Sequence, residues 1–356
     1  MNKIQQLLNK IKVGNASWDD YHNFLKLEEN DLEAFFDLSH EISILNFGNQ
    51  LKIYTPGKRF PAISITGNKC ALECEHCNKK YLEGMEKIQN SIKLEKFLLS
   101  HSKNNGVGAL ISGGCDEEGA VPLNDFLDVI KKIKNETNLI INTHTGLLNE
   151  ETAKKLADSN VDIISFDINM DEEIIQNIYH LNKNLEDYKR AVQILKKYNL
   201  NIVPHICIGL FYGRLHKEIE SIKFIKQNII NPSVIVLIAL IPPRSLEDKN
   251  ERFATPNPID IAKIVTLTRL IFPNTEISLG CMRPRGSLKF KIEKYAIQAG
   301  VNRIEIPSKK TLIWLKESYP GISIKFYSAC CAIPEKFEKF SKSSDKEIKK
   351  YQNSQE

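Results

Sequence analysis

The run Val234-Ile-Val-Leu-Ile-Ala-Leu-Ile241 carries eight apolar residues without a polar interruption. A strand with one wet face alternates apolar and polar residues, so an unbroken run belongs to a parallel strand covered on both faces. Parallel strands need crossover connections, which are usually helical. The chain supplies both parts in alternation. Runs suited to strands recur at 61–66, 107–112, 138–143, 161–168, 201–208, 233–241, 275–280 and 301–306. Between them, Leu123, Phe126, Leu127, Ile130 and Ile133 mark one helical stripe, opened by Pro122 at a first-turn position. Ala191, Ile194, Leu195 and Tyr198 mark another. Eight strands alternating with helices predict an α/β fold, a closed (β/α)8 barrel of the TIM type; an open six-strand sheet is the competing count.

Function in such a barrel sits at the carboxyl ends of the strands, and the unusual polar residues of this chain fall there. Three cysteines follow the first strand, and Ser112-Gly113-Gly114-Cys115-Asp116 follows the second. Thr143-His144-Thr145-Gly146 follows the third, while Asp167 and Asn169 lie near the end of the fourth. The fifth contains His205 and Cys207 and runs into Gly209-Leu-Phe-Tyr-Gly213. The sixth ends at Pro242-Pro243-Arg244, and the seventh at Gly280-Cys281-Met-Arg283-Pro-Arg285-Gly286.

The most specific stretch is Cys70-Ala-Leu-Glu-Cys74-Glu-His-Cys77. A four-iron cluster takes one protein ligand per iron, so three thiolates leave one iron open to something that is not a side chain. The competing assignment is a structural zinc site with His76 as fourth ligand. Zinc ligands usually come as two separated pairs, and His76 sits too tightly between two thiols to reach the same tetrahedral ion with ease. Eight cysteines in the chain also permit a disulfide framework. Three at cluster spacing, with no apolar signal core at Met1-Asn-Lys-Ile-Gln-Gln, argue instead for thiolates in a reducing cytoplasm. No apolar run reaches the eighteen residues of a membrane span. The formal charge of +5, with scattered lysines, is weak for a nucleic-acid binder.

C-x3-C-x2-C with a ring-bearing residue before the third cysteine resembles the signature of radical S-adenosylmethionine (SAM) enzymes. In that superfamily the open iron of a [4Fe-4S] cluster binds the amino and carboxylate groups of SAM. One electron then splits SAM to methionine and a 5'-deoxyadenosyl radical, which takes an unactivated hydrogen from the substrate. The resemblance makes Cys70, Cys74 and Cys77 the catalytic cluster ligands and His76 their cofactor-side neighbour. It gives Gly113 and Gly114 to the methionine end of SAM, Asp167 to a ribose hydroxyl and Gly209 to the adenine side. Arg190, on the helix after the fourth strand, is a candidate partner for the SAM carboxylate through a two-pronged hydrogen bond.

Five cysteines remain. Cys115 and Cys281 each follow a strand, so a barrel brings both to one mouth. Cys330 and Cys331 end the alternating segment Ile322-Ser-Ile-Lys-Phe-Tyr-Ser-Ala, read as a strand laid against the body. If that segment crosses the mouth, Cys115, Cys281, Cys330 and Cys331 converge on a second [4Fe-4S] cluster. Cys207, within a strand, reads as packing. Ile111-Ser-Gly-Gly-Cys-Asp116, His144-Thr-Gly146, Leu279-Gly-Cys-Met-Arg-Pro-Arg-Gly286 and Cys330-Cys-Ala332 look like the biotin-synthase-like archaeal-type lipoyl synthases, which work as a pair of different radical SAM polypeptides. The cysteine that biotin synthase carries on its third strand has no counterpart here, where His144 follows that strand.

The resemblance implies a sulfur-inserting lipoyl synthase component acting on an octanoyl-lysine of a carrier, an H protein or an acyltransferase lipoyl domain. The auxiliary cluster is the implied sulfur donor, with a second radical SAM protein and a low-potential donor such as ferredoxin as partners. Arg244, Arg283 and Arg285 are candidates to steady the carrier or the second cluster. The alternative is another biotin-synthase-like enzyme, a methyltransferase or cofactor-assembly enzyme with one cluster; a zinc-stapled binding module is a third reading. The expected organisation is an N-terminal helical extension (1–58), a radical SAM barrel (59–306), a C-terminal helix and strand with the cysteine pair (307–334) and a polar tail, a frayed helix or disordered (335–356).

Overall fold

A computed structural model describes residues 3–243 and 252–353. All eight expected strand runs are strands. They are β2 (Ala62–Ser64), β4 (Gly108–Ser112), β5 (Ile140–His144), β6 (Ile163–Asp167), β7 (Ile202–Ile208), β8 (Val234–Ala239), β9 (Glu276–Leu279) and β10 (Arg303–Glu305). Three further strands extend the set: β1 (Gln50–Tyr54), β3 (Glu86–Lys87) and β11 (Ser323–Tyr327). The sheet runs β11-β1-β10-β9-β8-β7-β6-β5-β4-β2-β3, and every pairing is parallel. It curls as a TIM-like barrel does, but among the described residues the ladder stays open between β3 and β11, where a closed barrel was expected.

Alternation along each strand sorts side chains to two faces. Ile141, Ile164, Ile206, Ile235, Leu237, Ile277, Leu279 and Ile304 join the outer core with the helices. Ile140, Ile163, Val203, Val234 and Val236 point the other way and meet Tyr54 and the segment Tyr327 to Ile333. The C-terminal segment is therefore packed inside the curl, where it brings its cysteine pair.

The last helices explain how that plug is fastened. The expected frayed tail is folded into helices Glu335–Ser341 and Asp345–Asn353. Glu338 is buried and accepts from Lys52 Nζ at 2.9 Å, Tyr54 OH at 2.7 Å and an Arg303 guanidinium nitrogen at 2.8 Å. Lys52 also reaches Glu276 at 2.7 Å, and Arg303 pairs with Glu276 as well. Burial alone would raise the Glu276 carboxyl, but Arg303 and Lys52 outweigh it and hold it below the ordinary glutamate value. A polar composition concealed one buried carboxylate on which the tail is anchored.

The N-terminal region forms helices Lys3–Lys12, Trp18–Leu25 and Glu33–Phe47. The third is not capped by Asp31, which ends a short 3-10 turn. Leu32 precedes the helix without a side-chain cap and is fully buried, as are Phe35 and Phe24. Apolar anchoring, not capping, sets that start.

Candidate functional site

β2 ends at Ser64, and the cysteine loop begins six residues later, at Cys70, at the mouth of the curl. The loop is fixed by the segment that follows β4. Thr66 accepts the Gly114 N–H at 2.7 Å, Cys70 Sγ accepts the Cys115 N–H at 3.3 Å, and the Ala71 N–H donates to the Cys115 carbonyl at 2.7 Å. This approach requires glycine: a Cβ on Gly114 would lie 2.1 Å from the Lys69 carbonyl oxygen and 2.5 Å from Cys70 Cβ. A Cβ on Gly113 would meet the Thr66 side chain first, at 2.9 Å, and the Thr66 backbone nitrogen at 3.3 Å.

Cys70, Cys74 and Cys77 act on one another electrostatically. Burial, then the neighbouring thiolates of Cys77 and Cys70, push the Cys74 thiol up to about 12, and burial raises Cys77. Crowded thiols that resist ionisation on their own are what a bound cationic centre relieves. His76 packs against Tyr179 at 5.3 Å between ring centres. Burial pulls its imidazole down to about 4 against the opposing charge of Asp167, so it is neutral, and its Nδ1 is buried without a hydrogen-bond partner.

Asp167, at the end of β6, is exposed, yet its charge bears on His76, His144, His205, Tyr179 and Cys207. A carboxylate that keeps solvent access while ringed by such groups faces the cavity of the mouth. His144 and His205 lie edge to face at 5.5 Å, and burial holds both below the ordinary histidine value. Gly209 has φ +73°, its N–H donates to buried Glu218 at 2.9 Å, and a Cβ there would meet Pro256 at 2.6 Å.

The structure redraws the remaining expectations. Cys115 belongs with Cys70 and not with Cys281, because the glycine pair folds its loop onto the cysteine loop. Arg190 is largely exposed and pairs with Asp187 at 3.8 Å on its own helix. Arg283 is buried and spends its guanidinium on Glu293 and the Glu305 and Ile306 carbonyls, whereas Arg285 is exposed. Arg244 lies outside the described residues. Cys207 is packed as expected, with burial raising its thiol.

Cys281, Cys330 and Cys331 do converge. Cys330 and Cys281 both bear on the Cys331 thiol, which its contact with Cys330 and its burial push well up. Cys281 is exposed at its surface, and the surrounding protein together with Glu305 and Cys330 raises its thiol. Tyr81 links the two thiol groups, since Cys77, Cys207 and Cys281 all act on its hydroxyl. Glu305, which no motif marked, joins the second group: one carboxylate oxygen and the thiols of Cys330 and Cys331 all lie within 4.8 Å of one another. Its only signal in the sequence is an acid inside a strand of otherwise inward-packed positions.

A family model, the radical SAM superfamily, matches residues 64–248. The chain belongs to that superfamily. Membership implies a [4Fe-4S] cluster and SAM, and three mutually crowded thiols beside an unpartnered His76 nitrogen fit both. The biotin synthase of Bacillus subtilis subsp. natto is 22% identical over 285 residues, covering 78% of this chain and 81% of its own. That of Methanococcus aeolicus is 23% identical over 273 residues, covering 71% and 79%. Among solved structures, methylornithine synthase (PylB) shares the fold with a TM-score of 0.60 at 17% identity, over 84% and 85% of the two chains. The hydrogenase maturase HydG does so with 0.63 at 16%, over 85% and 67%. No helix among the described residues is long and apolar enough to cross a membrane.

Proposed function

We propose that this radical SAM enzyme inserts sulfur into an octanoyl chain carried on lysine, as one component of a lipoyl synthase. A second iron–sulfur centre at Cys281, Cys330 and Cys331 is the proposed sulfur source. The observation that supports the reading is the grouping of Cys330 and Cys331 with a Glu305 oxygen, all within 4.8 Å of one another, with Cys281 bearing on the Cys331 thiol. A cluster at the latter three would supply the electron that cleaves SAM to a hydrogen-abstracting radical. The protein's own part is to hold neutral His76 against Tyr179, to keep water from the thiols by burial, and to leave Asp167 free at the mouth for a polar group of the nucleoside. The substrate is then an acylated carrier domain, with a sister radical SAM polypeptide and a ferredoxin-like donor as partners.

A second reading, another biotin-synthase-like enzyme with one cluster, is favoured by the tight grouping of Glu305, Cys330 and Cys331, which suits a single ion. Anaerobic incubation with SAM, dithionite and an octanoyl-lysyl peptide, with and without the sister polypeptide, decides by product mass. A gain of sulfur upholds the proposal, and a gain of a methyl group overturns it. Reconstituted protein is expected to hold about eight irons per chain; about four favour the second reading.

A further inference from the structure

β9 and β10 each place a glutamate on the inner face of the sheet, and the two are treated oppositely. Glu276 and Glu305 are 6% and 5% exposed. Glu276 has Lys52 and Arg303 for partners. Glu305 has no ion pair among the described residues. Arg283 gives its Nε and one terminal nitrogen to Glu293, its other terminal nitrogen to the Gly280 carbonyl, and meets Glu305 and Ile306 through their backbone carbonyls. What faces the Glu305 carboxylate is the Cys331 N–H at 3.3 Å and the thiols of Cys331 and Cys281, with the Arg283 charge acting on it without forming an ion pair.

We infer that Glu305 is an oxygen donor to the second metal centre, completing a donor set with Cys281, Cys330 and Cys331. The inference rests on the second centre proposed above and deepens it. A buried carboxylate without a cation in direct contact is costly, and so is a cluster of buried thiolates. One bound metal offsets both, because its charge pairs with every donor at once. Carboxylate beside thiolate is a mixed hard and soft set, suited to iron or zinc. The spacing is already close, with Cys330 Sγ, Cys331 Sγ and a Glu305 oxygen within 4.8 Å of one another.

The backbone supplies an independent sign. Ile306, directly after Glu305, has φ +46°, a left-handed conformation that β-branched residues avoid. It is held there by its N–H, which donates to the Tyr54 carbonyl at 3.0 Å. Strain of this kind persists where the surrounding structure over-determines it and gathers at functional sites.

The test uses the full chain with Cys70, Cys74 and Cys77 all replaced by alanine, so that any metal retained after anaerobic reconstitution belongs to the second centre. X-ray absorption at the metal edge is expected to show oxygen beside sulfur in the ligand shell. Glu305→Gln, with folding checked by circular dichroism, is expected to weaken metal retention about tenfold or more. A sulfur-only shell, or a folded Glu305→Gln protein that keeps its metal and spectrum, overturns the role of Glu305 and leaves the second centre standing. Absence of metal from the triple variant overturns the centre itself. Zinc in place of iron removes the sulfur donor, while oxygen in the zinc shell still upholds Glu305.

Discussion

Replacing Gly114 by alanine probes the joint on which the site depends. The new Cβ would sit 2.1 Å from the Lys69 carbonyl oxygen, 2.5 Å from Cys70 Cβ and 2.6 Å from Cys70 Cα. Non-bonded heavy atoms rest at about 3.5–4.0 Å, so the Lys69-Cys70 backbone must retreat by about 1 Å. Overpacking of this kind costs about 1–3 kcal/mol, which a chain this size survives, so the variant folds. Misplacement by about 1 Å at a reacting centre costs about 100-fold in rate. The assay is 5'-deoxyadenosine formed from SAM and dithionite by anaerobically reconstituted protein, with iron content measured alongside. Gly114→Ala is expected to lower that rate about 100-fold at unchanged circular dichroism. Gly113→Ala is the control: its Cβ meets chiefly the Thr66 side chain, which can give, and disturbing the hydrogen bond at Gly114 costs about 1 kcal/mol, a loss within about tenfold. A Gly114→Ala enzyme within about threefold of the parent would refute the packing argument.

Glu338→Ala leaves Lys52 and Arg303 with one carboxylate between them and should destabilise the fold by about 3–5 kcal/mol in denaturant unfolding, whereas a loss under about 1 kcal/mol denies the anchor. His205 has its folded value depressed to about 4 from 6.5, so between those pH values the unfolded chain binds the extra proton. Stability should therefore fall by up to about 3 kcal/mol as pH drops from 6.5 to 4, and His205→Gln should flatten that slope in pH-dependent unfolding. Arg190→Ala should leave SAM cleavage within about twofold, since the side chain is solvated; a loss above about tenfold restores its role at the SAM carboxylate. Cys281→Ala should halve the iron bound at two centres while Cys115→Ala does not, as read by iron analysis.

The alternation of apolar runs with helical stripes contained eight of the strands, because each parallel strand covered on two faces must show itself as an apolar run whatever its neighbours are, but not the three further strands or the open ladder. The cysteine spacing contained the superfamily, since four irons and three thiolates impose their own arithmetic. Neither states which side chains meet across the curl. Cys115 and Cys281 both follow strands, yet hydrogen bonds of the glycine loop draw one to Cys70 while the other faces Cys330 and Cys331. The tail was polar in composition and nonetheless folds, because one carboxylate finds two buried cations contributed by strands far away in the chain. Local pattern determined the elements and the cluster motif. Long-range pairing of buried charge, visible only once the sheet curls, decided that the C-terminus fills the barrel and that Glu305 faces the second set of thiols.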